Sequence, residues 1–193
     1  MINITVLEMA GWASVLQALR LPFGKGCRSD VESQWREDYK DRIKPIIGTT
    51  TRVRIDEKDL KLMSTLVKRG DSHAKCLRGL IVYMEIEAPV YWWCELECYR
   101  AGHERLSSAS TMHVDCKGLV GEELVKAKSE IPMGKKLKKV DMFSYQCLRN
   151  IVKQRYDHRL PEWRDFIEHI HSLPFAEELI FIGLFNNEEN ENE

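Results

Sequence analysis

Apolar and polar residues alternate in two stretches of the chain, and a period of two predicts β-strands. In residues 1–7 the even positions are apolar up to Val6, which predicts a strand at the start of the chain. Residues 80–87 show the clearest alternation, with one fully apolar face and one face that mixes apolar and acidic residues. The apolar face of this second strand consists of Leu80, Val82, Met84 and Ile86.

Apolar residues three or four positions apart predict helices in the rest of the chain. Asp56 is suited to begin one helix and Gly70 to end it, because these residue types favour the two helix termini. Pro89 fixes the backbone at the start of a second helix that carries Trp92 and Trp93, which we expect in the core. Further helices are predicted over residues 13–19, 118–128, 144–159 and 162–171.

Four stretches lack either period and are predicted to be irregular. Residues 22–50 are charged and contain several glycines and prolines, which favours a long loop or lid. Residues 105–113 are rich in Ser and Thr and predict a loop or an irregular strand. Residues 133–139 predict a basic, solvated loop, and residues 186–193 a disordered acidic tail. The lysines of the predicted basic loop at residues 133–139 are Lys135, Lys136, Lys138 and Lys139.

The composition is that of one globular domain, which we expect over residues 1–185. The chain has 193 residues, of which 44% are hydrophobic and 31% charged, with a net charge of -1. This balance does not indicate a surface for bulk nucleic acid or for a membrane, and no apolar run is long enough for a membrane-spanning helix. We therefore expect a cytoplasmic protein with a small-molecule partner.

The six cysteines are scattered along the chain, as in a reduced intracellular protein of this size. Cys94 and Cys98 would share one face of a helix, with His103 nearby, and these three are a candidate metal site. No second Cys or His pair completes a set of four ligands. The alternative, two buried thiols and no metal, is the expectation that we adopt.

No local catalytic motif stands out, since the chain lacks GxxxxGK[ST], GxGxxG, GxSxG and HExxH. A set of cations, hydroxyls and amides would nevertheless suit a phosphorylated small molecule, because Arg offers a bidentate fork and Lys a point charge. The alternative is that they are ordinary solvated side chains on helix faces. The set comprises His73, Glu95, Arg100, Ser107, Ser108, Ser110, Lys128, Asn150, Arg155 and His158.

The order and spacing of these residues resemble the flavin-dependent thymidylate synthases over about residues 56–163. In that family a His precedes a strand that ends in an Ala-Pro-aromatic turn, and a helix follows. The corresponding residues here are His73, Ile86-Glu87-Ala88-Pro89-Val90-Tyr91, Cys94-Glu95 and Arg100. Two later elements of the family are matched by Ala127-Lys128 with Pro132, and by Leu148, Asn150, Arg155 and Asp157.

The chain also departs from the pattern of that family. Cys98-Tyr99-Arg100 stands where the family has Arg-His-Arg, and Glu95 stands where it has Gln. In the following loop Ser110 keeps the family's Ser, but Ser108 and Met112 replace its nucleotide-binding Glu and Arg. These departures reduce the set of groups expected to bind flavin and nucleotide.

The resemblance implies an α/β (α+β) fold, a mixed sheet packed with helices, and a homotetramer that binds a pyrimidine nucleotide and FAD. It implies nucleotide contacts from Ser110, Lys128, Arg155 and Glu95, and flavin contacts from His73, Arg100 and Asn150. One hypothesis is an enzyme that transfers a one-carbon unit to the nucleotide. The alternative is an inactive relative that sequesters a nucleotide or a nucleotide-derived signal, for example a viral sponge protein. A third is a structural protein that has kept only the fold, and no catalytic residue is assigned.

Overall fold

A computed structural model describes residues 1–24 and 55–185 of the chain. The predicted tail, residues 186–193, and most of the predicted loop at residues 22–50 lie outside the described residues. No helix in the described ranges is both long enough and apolar enough to cross a bilayer.

The centre of the fold is an antiparallel sheet of four strands in the order β1-β2-β4-β3. The two strands predicted from alternation are β1, at one edge, and β2. Residues 105–113, predicted as a loop or an irregular strand, contain most of β3, which forms the other edge, and the start of a short helix at Thr111. The strand bounds are Asn3–Ala10 for β1, Ile81–Pro89 for β2, His103–Ser108 for β3 and Lys136–Ser144 for β4.

Helices follow the strands and pack mainly on one face of this sheet. Asp56 caps α2 by accepting a hydrogen bond from the Lys58 amide, and Ser144 caps α7 by accepting one from the Cys147 amide. Together with the sheet they confirm the predicted α/β fold. The helices are α1 (Trp12–Arg20), α2 (Glu57–Lys68), α3 (Cys76–Gly79), α4 (Val90–Leu96), α5 (Thr111–Val114), α6 (Gly121–Ser129), α7 (Tyr145–Arg155) and α8 (Pro161–His171), with a 3₁₀ turn at Leu21–Phe23 and a π-helical turn at Glu177–Phe181.

The core lies between the apolar face of β2 and the helices. The predicted apolar face is confirmed, because the inward residues from Val82 to Ala88 are fully buried. Trp92 and Trp93 are buried as expected, and the Trp92 ring also contacts Trp163 and Phe166 at centroid distances of 5.0 and 5.4 Å. Aromatic pairs of this kind contribute about 0.5–1.5 kcal/mol each beyond the area that they bury. This cluster fixes α4 and α8 against the sheet.

Gly102 sets the start of β3 next to the start of α7. Its φ is 79°, and a Cβ atom there would lie 2.2 Å from the Ser144 hydroxyl oxygen. The Gly102 carbonyl accepts a hydrogen bond of 2.7 Å from the Ser144 amide. A residue with a side chain would be excluded by both conformation and space, so Gly102 determines where His103 enters the sheet.

The predicted basic loop at residues 133–139 is wrong over Lys136–Lys139, which begin strand β4. Acidic residues on the neighbouring strand β2 compensate for the lysines, and Lys138 forms a 3.0 Å ion pair with Glu85. Lys139 points inward and is only 8% exposed. Because residues 135–139 contain four lysines, they were interpreted as a solvated loop, and the strand-like alternation of inward and outward residues was not recognised.

The expectation of two buried thiols at Cys94 and Cys98 is also wrong, because both are exposed. Helix α4 ends at Leu96, so Cys98 does not lie one helical turn beyond Cys94 on a shared face. His103 is buried in contact with other residues. Within the described residues, no cluster of side chains has the composition of a metal site.

Candidate functional site

Arg155, the last residue of α7, lies at the centre of a group of side chains from three parts of the fold. Its Nε donates a 2.9 Å hydrogen bond to the Tyr99 hydroxyl, and its Nη1 donates one of 2.9 Å to Glu95 Oε2. The guanidinium carbon lies 4.9 Å from the centroid of the Trp163 ring. Arg155 Nη1 also lies 2.8 Å from His158 Nε2, so the planar fork is held in one orientation by three hydrogen bonds and a stacking contact.

Glu95 binds this group through only one of its oxygens. Oε2 accepts hydrogen bonds from Arg155 and from Trp163 Nε1, the latter at 2.8 Å, and lies 3.6 Å from His158 Nε2. The side chain of Glu95 is 32% exposed and that of Arg155 is 19% exposed. We call Tyr99, Glu95, Arg155, His158 and Trp163 the Arg155 cluster.

Two polar atoms of the Arg155 cluster have no hydrogen-bond partner among the residues that the structure describes. Among the described residues, no group donates a hydrogen bond to Glu95 Oε1, and none accepts one from Arg155 Nη2. Neither atom belongs to the buried unpaired atoms of the structure, so both reach solvent. The cluster thus presents one acceptor and one donor next to an ion pair, and this combination can bind a polar ligand.

Burial raises the pKa of the Tyr99 phenol, and the hydrogen bond from Arg155 offsets this effect only in part. The phenol is therefore neutral, and its oxygen accepts the bond from Arg155. Tyr99 occupies the position where the resemblance leads one to expect a histidine that contacts flavin. Here its hydroxyl is engaged by Arg155 instead.

A second charged cluster lies in the sheet, around Asp141 on β4. Asp141 is fully buried and accepts hydrogen bonds from His103 Nε2 at 2.8 Å and from Arg105 Nε and Nη2, both at 3.1 Å. Burial raises its pKa, but the bonds from His103 and Arg105 outweigh burial, so its pKa lies below the ordinary value. The other ring nitrogen of His103 lies 2.9 Å from the Tyr99 carbonyl oxygen.

This second cluster continues to the surface through Arg105, Glu97 and Lys139. Arg105 forms an ion pair with Glu97, and Lys139 Nζ lies 3.9 Å from Glu97 and 4.4 Å from the centroid of the Trp93 ring. Burial and the nearby Arg105 lower the pKa of Lys139. We call His103, Arg105, Asp141, Glu97 and Lys139 the Asp141 cluster.

The sequence analysis missed the Asp141 cluster. The signal that was available is the alternation of Lys139, Asp141 and Phe143, which places two charges at inward positions of one strand. Because residues 133–139 were interpreted as a loop, this pattern was not recognised.

The predicted nucleotide contacts Ser110 and Lys128 come together at the short helix α5. Ser110 caps this helix by accepting a 3.2 Å hydrogen bond from the Met112 amide, and Lys128 Nζ contacts the Thr111 hydroxyl. Within the described residues, no hydrogen bond or ion pair joins them to Arg155. The structure thus brings Glu95 together with Arg155, and Ser110 together with Lys128, as two separate groups.

The predicted flavin contacts do not form an enclosed site within one chain. His73 and Arg100 are exposed. Asn150 accepts a 3.3 Å hydrogen bond from Gln146, whose amide nitrogen also donates to Asp71, two residues before His73. Gln146 Oε1 is buried without a partner, but one free acceptor does not hold an isoalloxazine ring. Among the described residues, no hydrogen bond joins His73, Arg100 and Asn150 to one another, so these three predicted flavin contacts stay a prediction.

Among solved structures, 93 chains match the backbone of this one, and three of them illustrate the likeness. Two are flavin-dependent thymidylate synthase ThyX from Helicobacter pylori with FAD and dUMP, both with a TM-score of 0.63. They are 15% and 14% identical, with 93% and 96% of this chain covered and 98% and 100% of theirs. The third is the UMP/dUMP methylase PolB from Streptomyces cacaoi with 5-Br dUMP. It has a TM-score of 0.51 and 10% identity, and the match covers 79% of this chain and 77% of that one.

The fold is that of the flavin-dependent thymidylate synthases. This confirms the resemblance found in the sequence at the level of the fold, which is all that identities of 10–15% can show. No family model and no curated protein matches the sequence. The chain therefore shares this fold with proteins whose sequences are only 10–15% identical to it.

Proposed function

We propose that the protein binds a pyrimidine nucleotide, and that the Arg155 cluster is part of the binding site. The observation that carries the proposal is the accessible donor–acceptor pair formed by Arg155 Nη2 and Glu95 Oε1 within an otherwise rigid group. The similarity to chains solved with dUMP or 5-Br dUMP supports a nucleotide as the ligand. In this proposal Lys128 and Ser110 complete the site, with Lys128 placed to meet a phosphate.

Capture of the nucleotide without turnover is the mode that the site residues favour. His73 and Arg100 are exposed, and the hydroxyl of Tyr99, which stands at the position of a flavin-binding histidine in the resemblance, is engaged by Arg155. A protein with this arrangement would sequester a nucleotide or a nucleotide-derived signal and release it intact. The competing mode is FAD-dependent transfer of a one-carbon unit, as the resemblance implies.

The visible spectrum of the purified protein separates the two modes. A colourless protein that binds dUMP and returns it unchanged in the presence of folate and a reductant is the result that we expect. A yellow protein that releases FAD on denaturation, and that alkylates dUMP, would establish the enzymatic mode instead. Mass spectrometry of the released molecules identifies both the cofactor and the nucleotide.

Substitution of Arg155 tests whether the Arg155 cluster binds the nucleotide. In Arg155→Ala, the increase in melting temperature that dUMP produces should disappear, because the group that orients Glu95 is lost. Lys153→Ala is the matched control, since Lys153 is an exposed cation on the same helix. An unchanged dUMP-dependent shift in Arg155→Ala would exclude the cluster from the site.

We further propose that the protein acts in the cytoplasm as a homo-oligomer. The resemblance implies a tetramer, in which neighbouring subunits would share the nucleotide site. Helices α5 and α6 contribute no buried side chain, and Val114, Val120 and Val125 are at least 68% exposed in this segment. Ser110 and Lys128 belong to the same segment, so a second subunit packed there would lie next to them. Sedimentation analysis that found only a monomer would contradict this proposal.

A further inference from the structure

We infer that the protein has a second ligand site, separate from the Arg155 cluster, that takes a small aromatic molecule with a negative charge. The site is a cavity of about 580 Å³ next to the C-terminal ends of α2, α7 and α8 and the π-helical turn at Glu177–Phe181. None of the described residues that line this cavity belongs to the Arg155 cluster or to the contacts that the resemblance implies. The inference therefore does not depend on the proposed function.

The cavity has the size of a small-molecule site, for which volumes of about 300–1,000 Å³ are usual. One wall is held in place by Arg149 of α7, whose side chain is buried. Arg149 Nη1 donates hydrogen bonds of 2.6 and 2.8 Å to the carbonyl oxygens of Ile180 and Ile182. These carbonyls belong to the π-helical turn and to the segment directly after it, and turns of this kind are frequent at functional sites. The backbone of this wall is therefore fixed without a ligand.

Aromatic rings form a large part of the lining of this cavity. The His171 ring stacks on the Phe181 ring, with 3.6 Å between the centroids and 14° between the planes. The Tyr156 and Phe185 rings pack together at 4.1 Å, and these two residues are still 45% and 48% exposed. Exposed rings that border one cavity are stabilised when a flat apolar group covers them and removes their surface from water. The lining therefore favours an aromatic ligand.

The ionisable residues of the lining differ in whether they are paired. Glu177 Oε1 lies 2.6 Å from His171 Nδ1, so this carboxylate already has a partner. Among the described residues, no acceptor and no carboxylate contacts the Lys68 ammonium. The aliphatic part of Lys68 lies beside Gly183, where an added Cβ atom would be 3.8 Å from Lys68 Cγ. A cation without a counter-ion at the wall of an aromatic cavity favours a ligand with a carboxylate, sulfonate or phosphate group.

The experiment uses two fluorescent probes that share one aromatic skeleton and differ in charge. One is 1-anilinonaphthalene-8-sulfonate, and the other is N-phenyl-1-naphthylamine, which lacks the sulfonate. Titration of the wild-type protein should show one site for the sulfonate probe, with an affinity at least about tenfold higher than that for the neutral probe. Equal affinities for the two probes, or no binding of the sulfonate probe, would overturn the inference.

Two substitutions at exposed residues, which should not disturb folding, locate the probe in the cavity. Lys68→Gln removes the unpaired ammonium and should weaken binding of the sulfonate probe about tenfold, while binding of the neutral probe is unchanged. Phe185→Ala removes one ring of the lining and should weaken binding of both probes. Lys61→Gln is the matched control, since Lys61 is an exposed cation on the same helix, about two turns from Lys68 and outside the lining. Unaltered affinity for the sulfonate probe in either Lys68→Gln or Phe185→Ala would overturn the inference.

Competition with dUMP separates this inference from the proposed function. The sulfonate probe should stay bound in a large excess of dUMP, because the cavity and the Arg155 cluster have no residue in common. Displacement of the probe by dUMP would show a shared site, which overturns the inference and leaves the proposed function standing. If dUMP did not change the melting temperature of the protein, the proposed function would fail, while binding of the sulfonate probe would still support the second site.

Discussion

The Arg155 cluster and the Asp141 cluster contain the same kinds of side chain, a carboxylate, an arginine and a histidine, but they differ in completeness. Both oxygens of Asp141 accept hydrogen bonds, and the carboxylate is fully buried. In the Arg155 cluster one carboxylate oxygen and one guanidinium nitrogen reach solvent without a partner among the described residues. Chemical composition alone therefore does not separate a closed ion pair with a fully buried carboxylate, that of Asp141 with Arg105, from a half-exposed one, that of Glu95 with Arg155.

The difference follows from where each cluster lies in the fold. Asp141 is on β4, an interior strand that is paired on both sides, and water is excluded from it. Glu95 and Arg155 lie near the ends of two helices, where side chains are only partly covered. A buried carboxylate must have its hydrogen bonds supplied by the protein, while a half-exposed one can exchange water for a ligand.

Removal of the charge of Asp141 should produce the largest effect on stability. We expect Asp141→Asn to lower the free energy of unfolding by about 3–5 kcal/mol, because the buried His103 and the half-buried Arg105 lose the carboxylate that they share. Chemical denaturation measures this loss. Asp157→Asn, an exposed change at the end of α7, should cost less than about 0.5 kcal/mol. A loss below about 1 kcal/mol in Asp141→Asn would show that the cluster is not a structural ion pair.

Acidification should lower the free energy of unfolding by protonating Asp141, with a smaller effect than Asp141→Asn has. The pKa of Asp141 in the folded protein lies below its ordinary value of 3.8, so its stabilising contribution is complete above that value. The contribution is lost as the pH falls through the lower pKa of the folded state. The free energy of unfolding of wild type should therefore fall more steeply below about pH 4 than that of Asp141→Asn, as measured by urea denaturation between pH 2 and 5. Parallel curves for the two proteins would contradict the expectation.

Removal of the charge of Lys139 should have the smallest effect, and the opposite sign. Burial and the neighbouring Arg105 lower the pKa of Lys139, so stability rises with pH between the lowered pKa of the folded state and the ordinary value of 10.5, and the buried charge is destabilising at lower pH. Lys139→Met removes the buried charge and keeps a long side chain over Trp93. We expect a gain of less than about 1 kcal/mol at neutral pH, measured by thermal unfolding. Lys136→Met, at an exposed position of the same strand, is the control, and a loss above about 1 kcal/mol in Lys139→Met would refute the expectation.

Much of the fold could be predicted from the sequence, because its strongest elements follow simple periods. The alternation from Leu80 to Ile86, the helix cap at Asp56 and the buried Trp92 and Trp93 all appear in the structure as expected. The main error was β4, where lysines at consecutive positions concealed the alternation. Their partners Glu85 and Glu87 lie on β2, some 50 residues earlier, so the compensation of charge becomes visible only once the strands are paired.

The candidate site was predictable only in part, for a different reason. The resemblance pointed to Glu95 and Arg155, and the structure joins these two residues directly. The roles of Tyr99 and Trp163 as their partners could not be predicted, because the contacts join positions that are 56 and 68 residues apart. Spacing in the sequence identified Glu95 and Arg155 as candidates. It did not predict that the two would form an ion pair with each other.

The stretch from Trp93 to Tyr99 serves both clusters with alternate residues. Trp93 and Glu97 contact cations of the Asp141 cluster, Glu95 binds Arg155, and Tyr99 reaches Arg155 through its hydroxyl and His103 through its carbonyl. This seven-residue segment links the interior of the sheet to the Arg155 cluster. An opening fluctuation that frees any one of these side chains must strain the others, so the segment should exchange its amide hydrogens as one cooperative unit.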